Sequence, residues 1–474
     1  MGVPQQKPFG YKWRSSKWFV ISTVTLALFG EIFLYAFIVP ILDYMLRTRL
    51  HIDRSKTQKV ISIVLGLHGA VSVVAGPIIG HFADKTPNRK TPLLVSLITC
   101  IIGTLMIAST HSIQVLLLGR VMQAVAGSAV WIIGYATIAD TADQENLGKI
   151  MGIVMSFVNL GVIGGPAVSG LLLEVAGYWI TWMTPLLILA IDLVARLLMI
   201  EIPSKSSSLN KKSTETTETA GLTETTGLLH SHDDPEDPPA AGFWRIMLCH
   251  ARVLTVLLIQ ILNVAVGTCF NATIPLHVQE AFGWGPSNTG FLFSCLVLPS
   301  LLVGPLAGWI RDRVGTRSPA AISFVLQAAV LVLLGIAGNE RIPWASAQNH
   351  GGALYIASIV AMGIFGSEGG LARVFAMMEV AASIGMTIGP LVGGLLTELF
   401  GYDYMNWTWS LSYLFLAGLV LCFFRSEDPN EISPTNGDYE NVNYSILDLS
   451  IKRCEEFQWD QVDVTSGVGL RALG

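Results

Sequence analysis

Charge is scarce in this chain: only 13% of its 474 residues are Asp, Glu, Lys or Arg, against 52% that are hydrophobic. Soluble proteins carry about 25% charged residues, so the composition excludes the two or three soluble domains that the length alone suggests and points to an integral membrane protein. Cysteine is also sparse. The six (Cys100, Cys249, Cys269, Cys295, Cys422, Cys454) are scattered, mostly inside apolar runs, with no C-x-x-C pair; they read as small core residues rather than as disulfides or metal ligands. Enzyme signatures are missing: there is no H-E-x-x-H, no G-x-S-x-G and no phosphate loop. The chain is therefore not expected to be an enzyme, to hold a metal or cofactor, or to bind nucleic acid. No cleavable leader is expected, because the first apolar run, from near Trp18, is too long for a signal core. The amino end MGVPQQ lacks the hydroxyl residue that myristoylation wants at its sixth position. The net charge of −5 says less than the placement of the charges.

What the chain has in abundance is long apolar runs. Six lie near 18–42, 60–83, 91–110, 113–139, 148–173 and 179–200, and six more near 250–276, 287–310, 319–338, 352–367, 372–400 and 407–424. At about 1.5 Å of rise per residue, the first is long enough to cross roughly 30 Å of hydrocarbon. The expected organisation is a cytosolic amino-terminal segment (1–17), a six-helix bundle (18–202), a disordered cytosolic linker (203–245), a second six-helix bundle (246–425) and a cytosolic tail (426–474). The linker contains KKSTETTETAGLTETTGLLHSHDDPEDPP, which is polar, rich in Thr, Glu and Pro, and without apolar period. The tail is polar too, though Tyr439, Tyr444, Phe457 and Trp459 leave room for a docking segment. With both ends inside, the inner segments hold 21 of the 29 Lys and Arg, the outer segments 6, and the membrane runs 2, Arg120 and Arg196. This satisfies the positive-inside bias. The first outer loop, with Arg47, Arg49, Arg54, Lys56 and Lys59, is the exception.

Two stretches repeat. GPIIGHFADKTPNRK at 76–90 returns as GPLAGWIRDRVGTR at 304–317, and GPAVSGLLLEVAGY at 165–178 returns as GPLVGGLLTELFGY at 389–402. The offsets are 304 − 76 = 228 and 389 − 165 = 224. Internal repetition in a hydrophobic chain is a mark of secondary transporters. In the first pair, Gly-Pro-x-x-Gly suits close helix packing. Gly80 is followed by Asp84, Arg89 and Lys90, and Gly308 by Asp312 and Arg313. A carboxylate at the inner face, able to meet a helix amino terminus or an arginine, reads as a conformational latch; a solvated loop of mixed charge is the alternative.

Ionisable groups inside apolar runs are costly and therefore informative. Glu31 lies about 16 Å from the outer end of the first run and Arg120 about 12 Å into the fourth, counting helical rise, so the two are expected near one level. Glu31 is read as carrying a coupling proton or a cationic substrate, with Arg120 tuning its proton affinity; a structural ion pair is the other reading. Glu379 sits six residues before Gly385, and one reading is a carboxyl group near the inner helix end that snorkels to water. Asp192 and Arg196, spaced i, i+4, read as a structural pair. Asp140, Asp143 and Glu145 read as a solvated loop, since they lack calcium-site spacing. Trp131, Tyr135, Phe157 and Phe270 are either cavity-lining or packed against core and lipid. The sequons at Asn271 and Asn406 are weak, the first falling inside the seventh run and the second in a very short outer loop.

These motifs resemble the major facilitator superfamily. Its signature loop between helices 2 and 3, G-x-L-a-D-r-x-G-r-k, is matched here at Gly80, Asp84, Arg89 and Lys90, with Pro87-Asn88 where a glycine is usual. Its helix 4 signature is matched by Arg120, Gln123, Gly127 and Ser128, and its helix 5 antiporter motif by Gly161, Gly165, Pro166 and Gly170, echoed in the second half by Gly389 and Pro390. Within the superfamily, EIFLYAFIVPIL, TIPLHVQEAFGW and the Glu379 region look like the twelve-span drug:proton antiporters, especially fungal members akin to the vesicular monoamine and acetylcholine transporters. The family usually has Asp at the Glu31 position.

The resemblance implies an all-α membrane fold of twelve transmembrane helices, two pseudo-symmetric six-helix bundles about an axis normal to the membrane with a central cavity between them. It implies proton or substrate coupling at Glu379, where vesicular amine transporters carry an acidic residue. It also implies that the Gly-Pro kinks of helices 5 and 11 keep the cavity from leaking; packing notches are the other, compatible reading. The function expected is proton-driven export of a small amphipathic or cationic organic compound, a drug, toxin or secondary metabolite, by a monomer in the plasma membrane or a vacuolar or vesicular membrane. A metabolite uptake carrier and a non-transporting scaffold or receptor are the alternatives. One departure stands out. From the start of helix 4 to its motif proline the count is 166 − 113 = 53, but from helix 10 it is 390 − 353 = 37. Helix 10 is thus expected to be short, spanning about 22 Å.

Overall fold

A computed structural model describes residues 10–85, 89–143, 146–200, 251–339, 342–346, 348–366 and 375–424. The linker at 203–245 and the tail at 426–474 lie outside these residues. After a single helical turn at Tyr11–Arg14, six apolar helices make the first half: α1 (Lys17–Tyr44), α2 (Arg54–Lys85), α3 (Lys90–Ala108), α4 (Ile113–Thr141), α5 (Leu147–Val175) and α6 (Tyr178–Leu198). Six more make the second: α7 (Ala251–Phe282), α8 (Pro286–Val314), α9 (Arg317–Ile336), α10 (Gly351–Phe365), α11 (Phe375–Phe400) and α12 (Tyr402–Phe423). Eleven are long and apolar enough to cross a membrane, and α10, at 15 residues, is the short one. Helix is the expected solution here, because in hydrocarbon every backbone N–H and C=O must find its partner within the chain.

The repeats land where the fold needs them. Gly177 and Gly401 make the turns from α5 into α6 and from α11 into α12, with φ of 79° and 98° that only glycine adopts without strain. Within each half the packing repeats as well: α1 lies on α5 as α7 lies on α11, and α4 lies between α2 and α3 as α10 lies between α8 and α9. Between the halves, α2 crosses α11 and α5 crosses α8, a pairing that a pseudo-two-fold exchanges.

Small residues set these approaches. A Cβ at Gly161 would lie 3.0 Å from the Phe29 carbonyl, and one at Gly165 would lie 2.7 Å from that of Phe33, so α5 rests on the backbone of α1. Gly385 and Gly389 rest in the same way on Ile261 and Ala265 of α7. Across the halves, Gly170 of α5 touches the backbone of Pro286 in α8, Gly290 of α8 touches that of Pro166, and Gly69 of α2 touches Ser383 and Thr387 of α11. The crossings at Gly170 and Gly290 lie near the end of the helices where α5 leads into α6 and α8 begins, and that of Gly69 lies at the middle of α2. Toward the other end of the helices, Val74, Ile78 and Phe82 of α2 and Leu302, Leu306 and Trp309 of α8 are exposed. Polar contacts join the halves at the end expected to face outward, where Arg54, Glu174 and Ser287 lie.

That geometry changes the reading of the first repeat. Gly80, Gly304 and Gly308 have no atom within 4 Å of a Cβ placed on them. In this conformation they notch nothing. Gly165→Val should therefore lower stability by about 1–3 kcal/mol through overpacking, read as a lower thermal midpoint in detergent, whereas Gly80→Ala should leave that midpoint unchanged. Equal shifts for both would contradict this packing.

Candidate functional site

Glu31 is 6% exposed in the middle of α1. Its carboxyl group lies directly over Gly127 of α4, whose missing side chain makes the room. His68 of α2 faces it, with Nε2 3.9 Å from Glu31 Oε1. One turn further along α1, Tyr35 packs at a tilt against the His68 ring, centroids 5.0 Å apart, and lies 5.5 Å beneath the Arg120 guanidinium. Arg120 is wholly buried and donates to Gln123 Oε1 at 3.1 Å, while Gln123 Nε2 donates to Thr104 Oγ1 of α3 at 2.9 Å. From the second half, Asn271 of α7 lies beside the Tyr35 hydroxyl.

Glu31 and Arg120 thus belong to one buried cluster but form no ion pair within 4 Å. The reason is the antiparallel run of α1 and α4: Gly127 is level with Glu31, and Arg120, two turns away along α4, is level with Tyr35. Buried polar atoms without a protein hydrogen-bond partner converge here, namely His68 Nδ1 and Arg120 Nε and Nη2. Such atoms mark a place for polar groups of a ligand or for water. A carboxyl group, an imidazole and a guanidinium in a site of low dielectric can exchange a proton or hold a cation at high electrostatic cost and gain.

Glu379 is placed apart from this cluster. It lies on α11, half-buried, within electrostatic reach of Tyr135 on α4 of the other half. Tyr135 packs against Trp131 at 5.3 Å between ring centroids. Of the other aromatic candidates, Phe270 is core and Phe157 is exposed. Asn271 and Asn406 both fall inside helices, α7 and α12. Asp192 and Arg196 are buried and form a two-pronged pair, Nη2–Oδ2 2.6 Å and Nε–Oδ1 3.0 Å, while Arg196 Nη1 donates to the Leu93 carbonyl of α3. This is the structural pair expected of them.

At the inner face the basic residues stay within their own half. Arg89 pairs with Asp140 at 2.8 Å and Lys17 with Asp143 at 2.7 Å, so these two acids are paired rather than merely solvated, and Glu145 lies outside the described residues. Lys90 Nζ donates to the carbonyls of Leu197 (2.9 Å) and Met199 (2.5 Å) at the end of α6, as Arg317 Nη2 donates to Leu421 near the end of α12 (2.5 Å). Arg313 sits over the Trp309 ring at 4.1 Å. The side chains of Asp84 and Asp312 lie outside the described residues.

The outer face is different, because there polar contacts join the halves. Arg54 of α2 pairs with Glu280 of α7 at 3.2 Å. Glu174 at the end of α5 accepts the Ser287 N–H at the start of α8 at 3.0 Å, and Gln58 Nε2 donates to the Ala272 carbonyl at 3.1 Å. The basic outer loop is therefore largely paired, since Arg47 also meets Asp43 at 2.8 Å and Arg49 lies over Tyr178 and Trp179.

Two six-helix bundles that close at one end over a buried titratable cluster define a secondary transporter. The chain belongs to the Major Facilitator Superfamily, whose family model matches residues 24–366 and 256–453. It is 28% identical to an MFS-type transporter of Schizosaccharomyces pombe over 418 residues, 82% of this chain and 92% of that protein. It is 22% identical to the class E tetracycline resistance protein of Escherichia coli, covering 82% of this chain and 90% of that one. The human synaptic vesicular amine transporter is 21% identical over 78% of this chain and 67% of its own length. Among solved structures, the nucleoside transporter NupG superposes with a TM-score of 0.60 at 14% identity, covering 86% of this chain and all of NupG, which speaks for the fold alone.

Sequence reasoning missed His68, Tyr35 and Asn271 as parts of one cluster. A signal was present for the first: a histidine in the middle of VLGLHGAVS is as anomalous as Glu31. Two outcomes follow. Gly127→Ala puts a methyl group where the Glu31 carboxyl lies, so labelling of Glu31 by dicyclohexylcarbodiimide should change several-fold, and unchanged labelling would refute the contact. The Arg54–Glu280 pair has side chains 62% and 55% exposed, so it is worth only about 0.2–1 kcal/mol. Arg54→Ala should raise outer accessibility of a Ser62→Cys reporter by roughly 1.4- to 5-fold, measured with an impermeant maleimide; no rise would mean that the pair does not hold the halves together.

Proposed function

We propose that this chain is a proton-coupled exporter of a small amphipathic or cationic organic compound, working by alternating access as a monomer in the plasma membrane or a vacuolar or vesicular membrane. The observation that carries the reading is Glu31, a carboxyl group buried at mid-membrane against Gly127 and faced by His68 rather than neutralised by an arginine. A group so placed responds to protonation and to a cation alike. Glu379 adds a second carboxyl group on the opposite half, within electrostatic reach of Tyr135. The names of the relatives support the class of substrate: one group is named for tetracycline resistance and another as synaptic vesicular amine transporters.

In this cycle compound and protons compete for the carboxyl groups. Substrate arriving from the inner side displaces the proton, the halves close over it at the inner end, and the outer clasp at Arg54–Glu280 and Glu174–Ser287 opens. Protonation from the outer side then releases the substrate. His68 and Arg120 bias the charge state of Glu31, and Gln123 holds the guanidinium in place. Asp84, Arg89, Lys90, Asp312 and Arg313 would latch the inner face when it closes.

The test uses proteoliposomes with an imposed pH gradient and radiolabelled tetracycline or a monoamine as probes. Substrate should move against the proton flux, and Glu31→Gln and Glu379→Gln should each reduce uphill transport by at least about tenfold, a loss of roughly 1.4 kcal/mol or more of coupling. Undiminished uphill transport in both variants would overturn the assignment.

A further inference from the structure

Arg120 carries a charge that nothing in contact with it neutralises. It is 0% exposed, and among the described residues its hydrogen bond runs from Nη1 to the neutral amide oxygen of Gln123 at 3.1 Å. Nε and Nη2, which form one edge of the guanidinium, meet no acceptor of the protein. That edge is the fork with which an arginine grips an anion, two parallel N–H groups at fixed spacing. Arg196 in the same bundle shows the usual arrangement, since its Nε and Nη2 both donate to Asp192.

Further donors stand around the fork. The guanidinium lies 5.5 Å over the Tyr35 ring, and the Tyr35 hydroxyl, beside Asn271 of α7, makes no formed hydrogen bond. The His68 ring is 5.0 Å from that of Tyr35, and its Nδ1, a donor in one of the two tautomers, has no partner. A guanidinium edge, a phenol and an imidazole buried together have one common complement, an acceptor with negative charge. That acceptor must be small, because Tyr35, His68 and Arg120 are all buried. One guanidinium supplies the charge, so a single negative charge matches it.

Glu31 decides when Arg120 needs that complement. It is the carboxyl group within electrostatic reach of the guanidinium, yet it is held over Gly127 and out of contact. The other titratable or charged groups around Glu31 are His68 on α2, Tyr35 on its own helix, Cys100 on α3 and Arg196 on α6, and Arg196 is neutralised by Asp192. From α5 this part of α1 meets Gly161, and from α7 the uncharged Asn271. With Glu31 ionised the cluster is close to neutral; with Glu31 protonated, Arg120 is a lone buried charge, which is costly. We propose that the Arg120 fork binds a small monovalent anion of halide size, and that it does so when Glu31 is protonated. By linkage the anion then raises the proton affinity of Glu31 by the factor by which the proton raises that of the anion. The inference shares its cluster with the exporter reading, but it concerns binding at equilibrium and needs neither substrate nor gradient.

The experiment is titration of the full-length protein in nanodiscs with sodium chloride, gluconate holding the ionic strength constant and no organic compound present, read by line broadening in chloride NMR. Saturable binding is expected, at least tenfold tighter at about pH 5.5 than at about pH 8.5. Arg120→Gln should abolish it, and Tyr35→Phe should weaken it several-fold. Glu31→Gln should bind at the higher pH as tightly as the unaltered protein does at the lower, with no pH dependence left. Lys59→Gln, at the exposed start of α2, should leave the affinity within twofold. Thermal midpoints verify that each variant is folded, and Glu31→Gln, an expected gain, decides if Arg120→Gln is not. No saturable chloride binding by the unaltered protein, or undiminished binding in folded Arg120→Gln, overturns the site. A pH dependence that persists in Glu31→Gln overturns the link to its proton. Acetate bound where chloride is not would make the fork a carboxylate site and overturn the halide. Loss of proton-coupled transport with chloride binding intact would fault the exporter reading instead.

Discussion

The structure depends on how closely two helices can approach when one of them has no side chain at the crossing. Where Gly161 and Gly165 meet α1, and Gly385 and Gly389 meet α7, backbone rests on backbone; in a bilayer, where apolar side chains gain nothing over lipid, this contact is what binds helices together. The same device carries the contact between halves at Gly170, Gly290 and Gly69. The crossings of α5 with α8 lie toward one end of the bundle, and that of α2 with α11 at its middle. Pro166 and Gly170 serve both purposes, since one motif seats α5 on α1 and, a turn later, on α8.

A second constraint acts inside that frame. A carboxyl group in hydrocarbon must have a partner, a wet cavity or a proton. Asp192 takes the first solution, with Arg196 in a two-pronged fork tied to α3, and is silent. Glu31 does not. Its neighbour His68 is itself titratable, and Arg120 is diverted to Gln123 and the Tyr35 ring. The contrast between two buried acids in one bundle separates a structural pair from a site.

Much of this was legible from residues. The repeats revealed two related halves, and the glycine of each Gly-Tyr pair stands at a turn with positive φ, Gly177 and Gly401. The depth of Glu31 and Arg120 followed from helical rise to within a turn. What did not follow was rotation: counting residues sets height along an axis but not which face looks at which neighbour, so Gly127 rather than Arg120 opposes Glu31. Ion pairs across loops were hidden for the same reason, and Asp140 and Asp143 read as solvated although each has a basic partner from a distant segment. Nor can a sequence say which half of an alternating cycle a structure shows, which is why Gly80 and Gly308 read as notches and stand free.

The halves share a plan but not a content. The first holds the cluster of Glu31, His68 and Arg120; the second holds Glu379. The last carbonyl of α10, that of Phe365, accepts from Ser323 and Gln327 of α9. By the repeat offset of 317 − 90 = 227 these match Ser96 and Cys100, so the amide is particular to the second half. The shortened helix and the group that satisfies its last carbonyl thus occur together, as a buried helix end requires.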